Sequence, residues 1–189
     1  MIFESKKRKY IIIGMALLSI LIITLVSIYV VTLRPRMRNE KAIDAVLTSL
    51  LTCPDIELTQ LMELCATKIG PGYIEEPKPE DLERFDNKMN DMFDSYLTEN
   101  TLGYIKFSAL HYHTIAEEKG YEMQVDNIEI NQDKNDSRNY TFTIYLNYGN
   151  HDNEKKLVVT GRAQCLEVGK ITFLRFSDDF FINEFMKNK

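Results

Sequence analysis

The chain has 189 residues, 44% of them hydrophobic and 27% charged, with a formal net charge of −5. That average hides an uneven division. Residues 1–38 carry seven Lys/Arg against one acid, Glu4, which leaves 16 basic and 27 acidic residues, a formal charge of −11, on the remainder. An acidic body of this kind repels phosphate backbones and excludes nucleic acid as an expected partner; its supply of Leu, Ile, Val, Phe, Tyr and Met excludes a disordered chain.

The first ten residues read as a basic cytoplasmic head (Lys6, Lys7, Arg8, Lys9). From Ile11 to Leu33 there is no charged residue, and at about 1.5 Å per residue a helix of that length crosses a hydrocarbon core of roughly 30 Å. Ser19, Thr24, Ser27 and Thr32 can bond back to helix carbonyls, and Tyr10 and Tyr29 stand near the ends, where amphipathic rings favour the interface. No small-residue cleavage site follows the apolar run, and the first cysteine, Cys53, is too distant for a lipid anchor. The expectation is a single-pass cell-membrane protein, with a connector over 34–40 and one domain over 41–189 held outside the cytoplasm. A short basic head before a first span favours that orientation.

Past the basic exit Arg34-Pro35-Arg36, Ala42, Ile43, Val46, Leu47, Leu50 and Leu51 recur at helical spacing, with Asn39 as the expected N-cap and Pro54 as the stop. A second helix begins near Asp55, carries Leu58, Leu61, Met62 and Cys65 on one face, and stops at Gly70. Residues 70–80 (GPGYIEEPKPE) read as a loop. A third helix, about Glu80 to Leu97, places Leu82, Phe85, Met89, Met92, Phe93 and Tyr96 in one stripe, as for a helix lying on a sheet. Thr98 to Lys119 is helical, with a break expected near Phe107, and ends at Gly120.

The period then changes. Tyr121, Met123 and Val125 alternate, and Ile128 and Ile130 alternate with opposite parity, which implies a bulge near Asp126-Asn127. After the polar loop 131–139, Tyr140, Phe142, Ile144, Leu146 and Tyr148 form the cleanest strand. Leu157, Val159, Gly161, Ala163 and Cys165 give a third, and Ile171 to Phe176 a fourth, beyond a tight Glu167-Val168-Gly169-Lys170 turn. Asp178-Asp179 would cap a last helix bearing Phe181, Ile182, Phe185 and Met186. Helices followed by four strands on short connections make an α+β fold with an antiparallel meander. Gly161 and Ala163, opposite Phe142 and Ile144, suit a curved sheet closing around a helix.

The segments FDNKMNDMFDSYLTEN, GYEMQVDNIEI, YTFTIYLNY and VVTGRAQCLEVGKITFLRFSD, between Asp81 and Asp178, together resemble the nuclear transport factor 2-like superfamily. The resemblance covers about half the chain and is one of element pattern. It implies N-terminal helices packed into a strongly curved antiparallel sheet; with the span read above, the expected fold is an N-terminal transmembrane helix followed by helices packed in a curved four-stranded antiparallel sheet. The superfamily includes isomerase- and dehydratase-like enzymes, small-ligand binders and structural modules, so it assigns no site residue. The layout of head, span, connector and domain is similar to the bitopic scaffold protein of type IV secretion and conjugation machines.

An isomerase-like site would need a carboxylate and a Tyr or acid donor inside the cone. The faces expected to line it carry Tyr, Phe, Ile, Leu, Val, Gly and Ala, whereas Glu129, Arg162 and Arg175 fall on the opposite parity or at strand ends. The weak polar candidates are Tyr140, as a donor, and His111 with His113. On a strand the two imidazoles would share a face; on a helix they point about 200° apart. No Cys or carboxylate cluster completes a zinc set, and no hydrolase, zincin, redox or nucleotide motif occurs. No cofactor and no metal are therefore expected. Cys53, Cys65 and Cys165 read as small buried apolar residues.

Three readings remain. The first is a membrane-anchored, non-catalytic interaction or scaffold module of a cell-envelope assembly, possessing protein partners or forming a homo-oligomer, with Phe181, Phe185 and Met186 as an apolar docking patch or a plug for the cone. The second is a binder of a small apolar ligand within the cone, and the third an isomerase- or dehydratase-like enzyme.

Overall fold

The structure, a computed structural model, describes residues 2–66, 68–70, 73–150 and 153–177. The chain divides into two compact units, Met1–Arg38 and Asn39–Lys189.

In the first unit, helix α1 (Ile2–Ile28) passes through a π-helical turn, Tyr29–Leu33, and continues into α2 (Arg34–Leu51). The Ser19, Thr24 and Ser27 hydroxyls donate to the carbonyls of Met15, Ile20 and Ile23 at 2.9, 2.9 and 2.8 Å, as expected for polar groups in an apolar helix. The basic exit Arg34-Pro35-Arg36 is the first turn of α2. Pro35 has no N–H to donate and its ring crowds the carbonyl four residues back. The π turn, in which the Arg34 N–H reaches the Tyr29 carbonyl, widens the helix immediately before the proline and relieves that conflict. Among the described residues, one helix is long and apolar enough to cross a membrane.

In the second unit, Ala42, Ile43, Val46, Leu47, Leu50 and Leu51 are all buried, as their spacing requires. Asn39 is not an N-cap: it lies inside α2 and is itself buried. The Asp55 carboxylate caps α3 (Ile56–Cys65) by accepting the Leu58 N–H at 2.9 Å. That helix ends at Cys65 and not at Gly70, which instead lies in a two-stranded hairpin of β1 (Lys68–Gly70) and β2 (Tyr73–Glu75). The loop expected over 70–80 thus holds a strand. Helix α4 (Pro79–Phe93) starts on a proline and buries Met89 and Phe93, while Leu82 at the head of the stripe is exposed. It packs on α3 and on α5 (Glu99–Lys119), and its Met89 and Phe93 belong to the same core as the inner face of β4. Helix α5 is unbroken at Phe107 and ends at Gly120, whose φ of 62° is the left-handed conformation that costs glycine little.

Four strands, β3 (Glu122–Gln132), β4 (Asn139–Asn150), β5 (Asn153–Gln164) and β6 (Phe173–Phe176), pair antiparallel in sequence order and form an open sheet. The fold is α+β, as expected. The register slips between Val125 and Asn127, where the change of parity requires the bulge. Tyr140, Phe142, Ile144, Leu146 and Tyr148 are buried on the inner face of β4. Gly161 pairs with Phe142, and a Cβ there would collide with the Phe142 ring and the Arg175 carbonyl. Ala163 pairs with Tyr140, not with Ile144, which faces Val159. Two backbone bridges tie the helical connections to the sheet. Cys53 exchanges N–H···O bonds with Met123 at 3.0 and 2.7 Å, and Ile171 donates to Tyr96 while accepting from Thr98.

Candidate functional site

The polar candidates do not converge. His111 and His113 lie on the helix α5, so their imidazoles diverge: His113 is fully buried and His111 is half-buried beside the Tyr112 ring. The Asp55 backbone N–H donates to His113 Nδ1 at 2.8 Å. The ring proton is therefore on Nε2, aimed at the Ser49 carbonyl 3.3 Å away. The Asp55 carboxylate pairs with Lys88 at 3.0 Å, and Lys88 also reaches Glu57 at 2.8 Å. Burial opposes ionisation of Asp55, but the Leu58 N–H and the Lys88 ammonium outweigh it and hold its pKa below the usual carboxylate value. Burial is the main influence on His113 and pulls its pKa below 6.5, against the Ser49 carbonyl and the Asp55 charge. His113 thus acts as a neutral structural acceptor that closes the α2–α3 corner. Among the described residues no cluster of His, Cys, Asp or Glu could hold a metal ion.

Tyr140 is likewise used internally. Its hydroxyl accepts from Asn39 Nδ2 at 3.1 Å and from Gln132 Nε2 at 3.0 Å, and burial raises its pKa. The Asn39 carbonyl oxygen accepts the Gly169 N–H at 2.6 Å. One buried amide therefore joins α2, the sheet and the β5–β6 turn. The sequence held a signal for this: Asn39 is four residues before Ile43 and seven before Val46, on the apolar stripe. A polar side chain there must find buried partners, and among the described residues no buried side-chain nitrogen or oxygen lacks one.

Cys53 and Cys165 are buried free thiols whose pKa values burial raises, that of Cys165 to about 12. Cys65 is also free. Cys65 is only half-buried, not buried as expected, and burial makes Cys53 and Cys165 inert at neutral pH. Phe181, Phe185 and Met186 lie outside the described residues.

What the second unit offers outwards is hydrophobic. On α5 the residues Thr101, Ile105, Ala109, His113 and Ala116 turn inward, while Tyr104 (62% exposed) and Phe107 (71%) point away. With Gly103 and His111 they make a stripe on the helix's outer side. Phe107 lies about 200° around the helix from Ile105, a placement that the apolar count alone conceals. Open grooves on the described surface include one of about 200 Å³ lined by Glu122, Gln124 and Asn147, one of about 350 Å³ by Arg162, Phe173 and Arg175, and one of about 550 Å³ by Asp94, Leu102 and Lys170. The side chains on the inner face of β4 belong instead to one continuous core with Ile43, Leu47, Phe93 and Ile105.

No protein family, no curated protein and no solved structure matches the chain.

Proposed function

We propose that this protein is a membrane-anchored, non-catalytic interaction module of a cell-envelope assembly, its folded unit on the extracytoplasmic side and its outer α5 face meeting a protein partner. The exposed pair Tyr104 and Phe107 carries the reading. Aromatic residues placed together on a surface are the side chains that most often anchor protein contacts. Two further observations support it. His113, Tyr140 and Asn39 are engaged in buried hydrogen bonds that hold the fold. The inner face of the sheet is filled by the chain's own side chains, which favours an interaction module over a ligand carrier. The resemblance to nuclear transport factor 2-like domains, and of the layout to conjugation scaffolds, agrees with such a role.

The test is cross-linking in intact membranes from a photoreactive amino acid at Phe107. Discrete adducts above the monomer mass are expected, whether with another protein or a second copy. They should weaken when Tyr104 is replaced by Ala. Recovery of monomer alone would count decisively against the proposal.

A further inference from the structure

The outer face of the sheet carries two cations that the fold leaves unanswered. Arg162 and Arg175 stand directly opposite each other on β5 and β6, both exposed. Like charges in that position destabilise the pair. Across the register Arg162 pairs with Thr141, and Thr141 with Asn131, so their own row holds no acid. Glu129 stands two residues further along β3, where it accepts from the Tyr145 hydroxyl at 3.3 Å. It is two strands from Arg162, roughly 10 Å at the usual strand spacing. Among the described residues neither guanidinium has an ion-pair or hydrogen-bond partner, although residues 39–189 carry a formal charge of −11. Beside the arginines Phe173 is 47% exposed. Phe176 turns to the other side, its ring edge-on to Phe142 at 5.8 Å. Arg162, Phe173, Arg175, Phe176 and Ser177 line an open groove of about 350 Å³.

Charge decides between occupants. A second copy or an anionic lipid surface presents a broad negative front to a body of −11 and is repelled by it. A short segment feels mainly the charges within a Debye length of about 10 Å, and on this face the two arginines are the nearest described charges. A lone small anion gains little there, because an exposed ion pair is worth at most about fivefold in affinity. A segment that brings carboxylates to the guanidiniums and also covers the Phe173 ring gains on both counts. Arginine receives a carboxylate through two parallel hydrogen bonds, and the ring is withdrawn from water. From the unanswered charges, the groove and the exposed ring, we infer that the β5–β6 face docks an acidic segment of another protein. Its carboxylates pair with Arg162 and Arg175, and an apolar or aromatic side chain beside them covers Phe173. This inference does not rest on the α5 face.

The test uses the full chain in detergent micelles and a short fluorescent peptide that alternates Glu with Phe, with binding read by anisotropy. The peptide should bind at least about fivefold more tightly than its counterpart with Gln for Glu. Its affinity should fall at least about fivefold in Arg162→Glu/Arg175→Glu, as loss of two exposed charge pairs implies. A peptide with Lys for Glu should then prefer the reversed variant, and Phe173→Ala should weaken the acidic peptide with both arginines in place. Equal binding of the Glu and Gln peptides, no saturable binding of either, or indifference to charge reversal would each overturn the inference. Full displacement by inorganic phosphate at the peptide's own concentration would make the pair a bare-anion site, and displacement by phosphatidylglycerol in the micelle a lipid site. A dimer that dissociates on charge reversal would give the groove to a second copy. Each of these three outcomes also overturns the inference. Should the reversal variant lose its far-UV circular dichroism, Arg162→Gln/Arg175→Gln replaces it. The expected drop is then about twofold or more, and an unchanged affinity is again fatal.

Discussion

Helix α1 and the helices of the second unit draw on the same apolar residues and satisfy them differently. In α2 every Leu, Ile and Val of the stripe from Ile43 to Leu51 is buried against the chain itself. In α1, Leu17, Leu18, Ile20, Leu21, Ile22 and Ile23 are each more than half exposed, and the helix has no polar face to set against them. By length and composition the helix is able to cross a bilayer. Burial in the second unit came from periodicity: apolar residues concentrated on one side leave the other for water. The first helix lacks that division, and the difference separates a core helix from a candidate span.

That contrast can be broken most forcefully in the middle of α1. Replacing Ile22 and Leu25 by Arg should cost about 2.5–3.5 kcal/mol per substitution at the centre of a span. The chain should then leave the carbonate-resistant membrane fraction, while thermal unfolding of the second unit stays within about 0.5 kcal/mol of wild type. Retention in the pellet at wild-type level would mean that lipid is not what α1 is built for.

A smaller effect is expected where the second unit satisfies a polar group rather than an apolar one. His113→Leu keeps the volume but removes the acceptor for the Asp55 N–H, at a cost of about 1–3 kcal/mol near pH 7.5. The folded-state pKa of His113 lies below its unfolded value of 6.5. Between the two, the unfolded chain binds the extra proton. The stabilisation is therefore complete above pH 6.5 and is lost as pH falls towards the folded pKa, with a slope of at most about 1.4 kcal/mol per pH unit. Asp55 has the opposite assignment: its contribution is present above about pH 4 and disappears below its lowered folded pKa, outside this window. Denaturant melts from pH 7.5 to 5 should thus show wild type and His113→Leu converging. Parallel curves would remove His113 as a neutral acceptor.

These two regions also show what was legible in the residues. The long apolar N-terminal helix, the alternation of β4, the bulge after Val125, the start of α3 beside Asp55 and the stop of α5 at Gly120 are local: each is decided by neighbours a few positions away. Asn39 was misread because its partners, Tyr140 and Gly169, are more than a hundred residues distant. Local rules offered it only a cap. The β1–β2 hairpin was missed because three-residue strands beside Gly and Pro are too short to show alternation. Helix α4 shows a clear stripe, but a stripe says only that one side is buried. That α3 and α5 also pack on this helix is a tertiary fact. Of the weak polar candidates, His113 and Tyr140 make buried hydrogen bonds with partners distant in the chain, which no local pattern announces. The outward Tyr104 and Phe107 drew no notice as a surface.

The smallest expected effect on stability is the most informative about function. Tyr104 and Phe107 are 62% and 71% exposed, so Tyr104→Ala and Phe107→Ala remove little buried area. Each should change unfolding free energy by less than about 0.5 kcal/mol. Exposed aromatic surface that contributes nothing to the isolated fold is not required by it, and at an interface truncating a buried anchor costs about 2 kcal/mol or more. The two measurements therefore separate what the core cannot: unchanged melting combined with loss of membrane cross-links assigns the face to a partner. A loss of 2 kcal/mol or more in melting would show instead that the rings pack within the unit. The α5 face would then belong with the stripe of α2, and the case for docking there would fall.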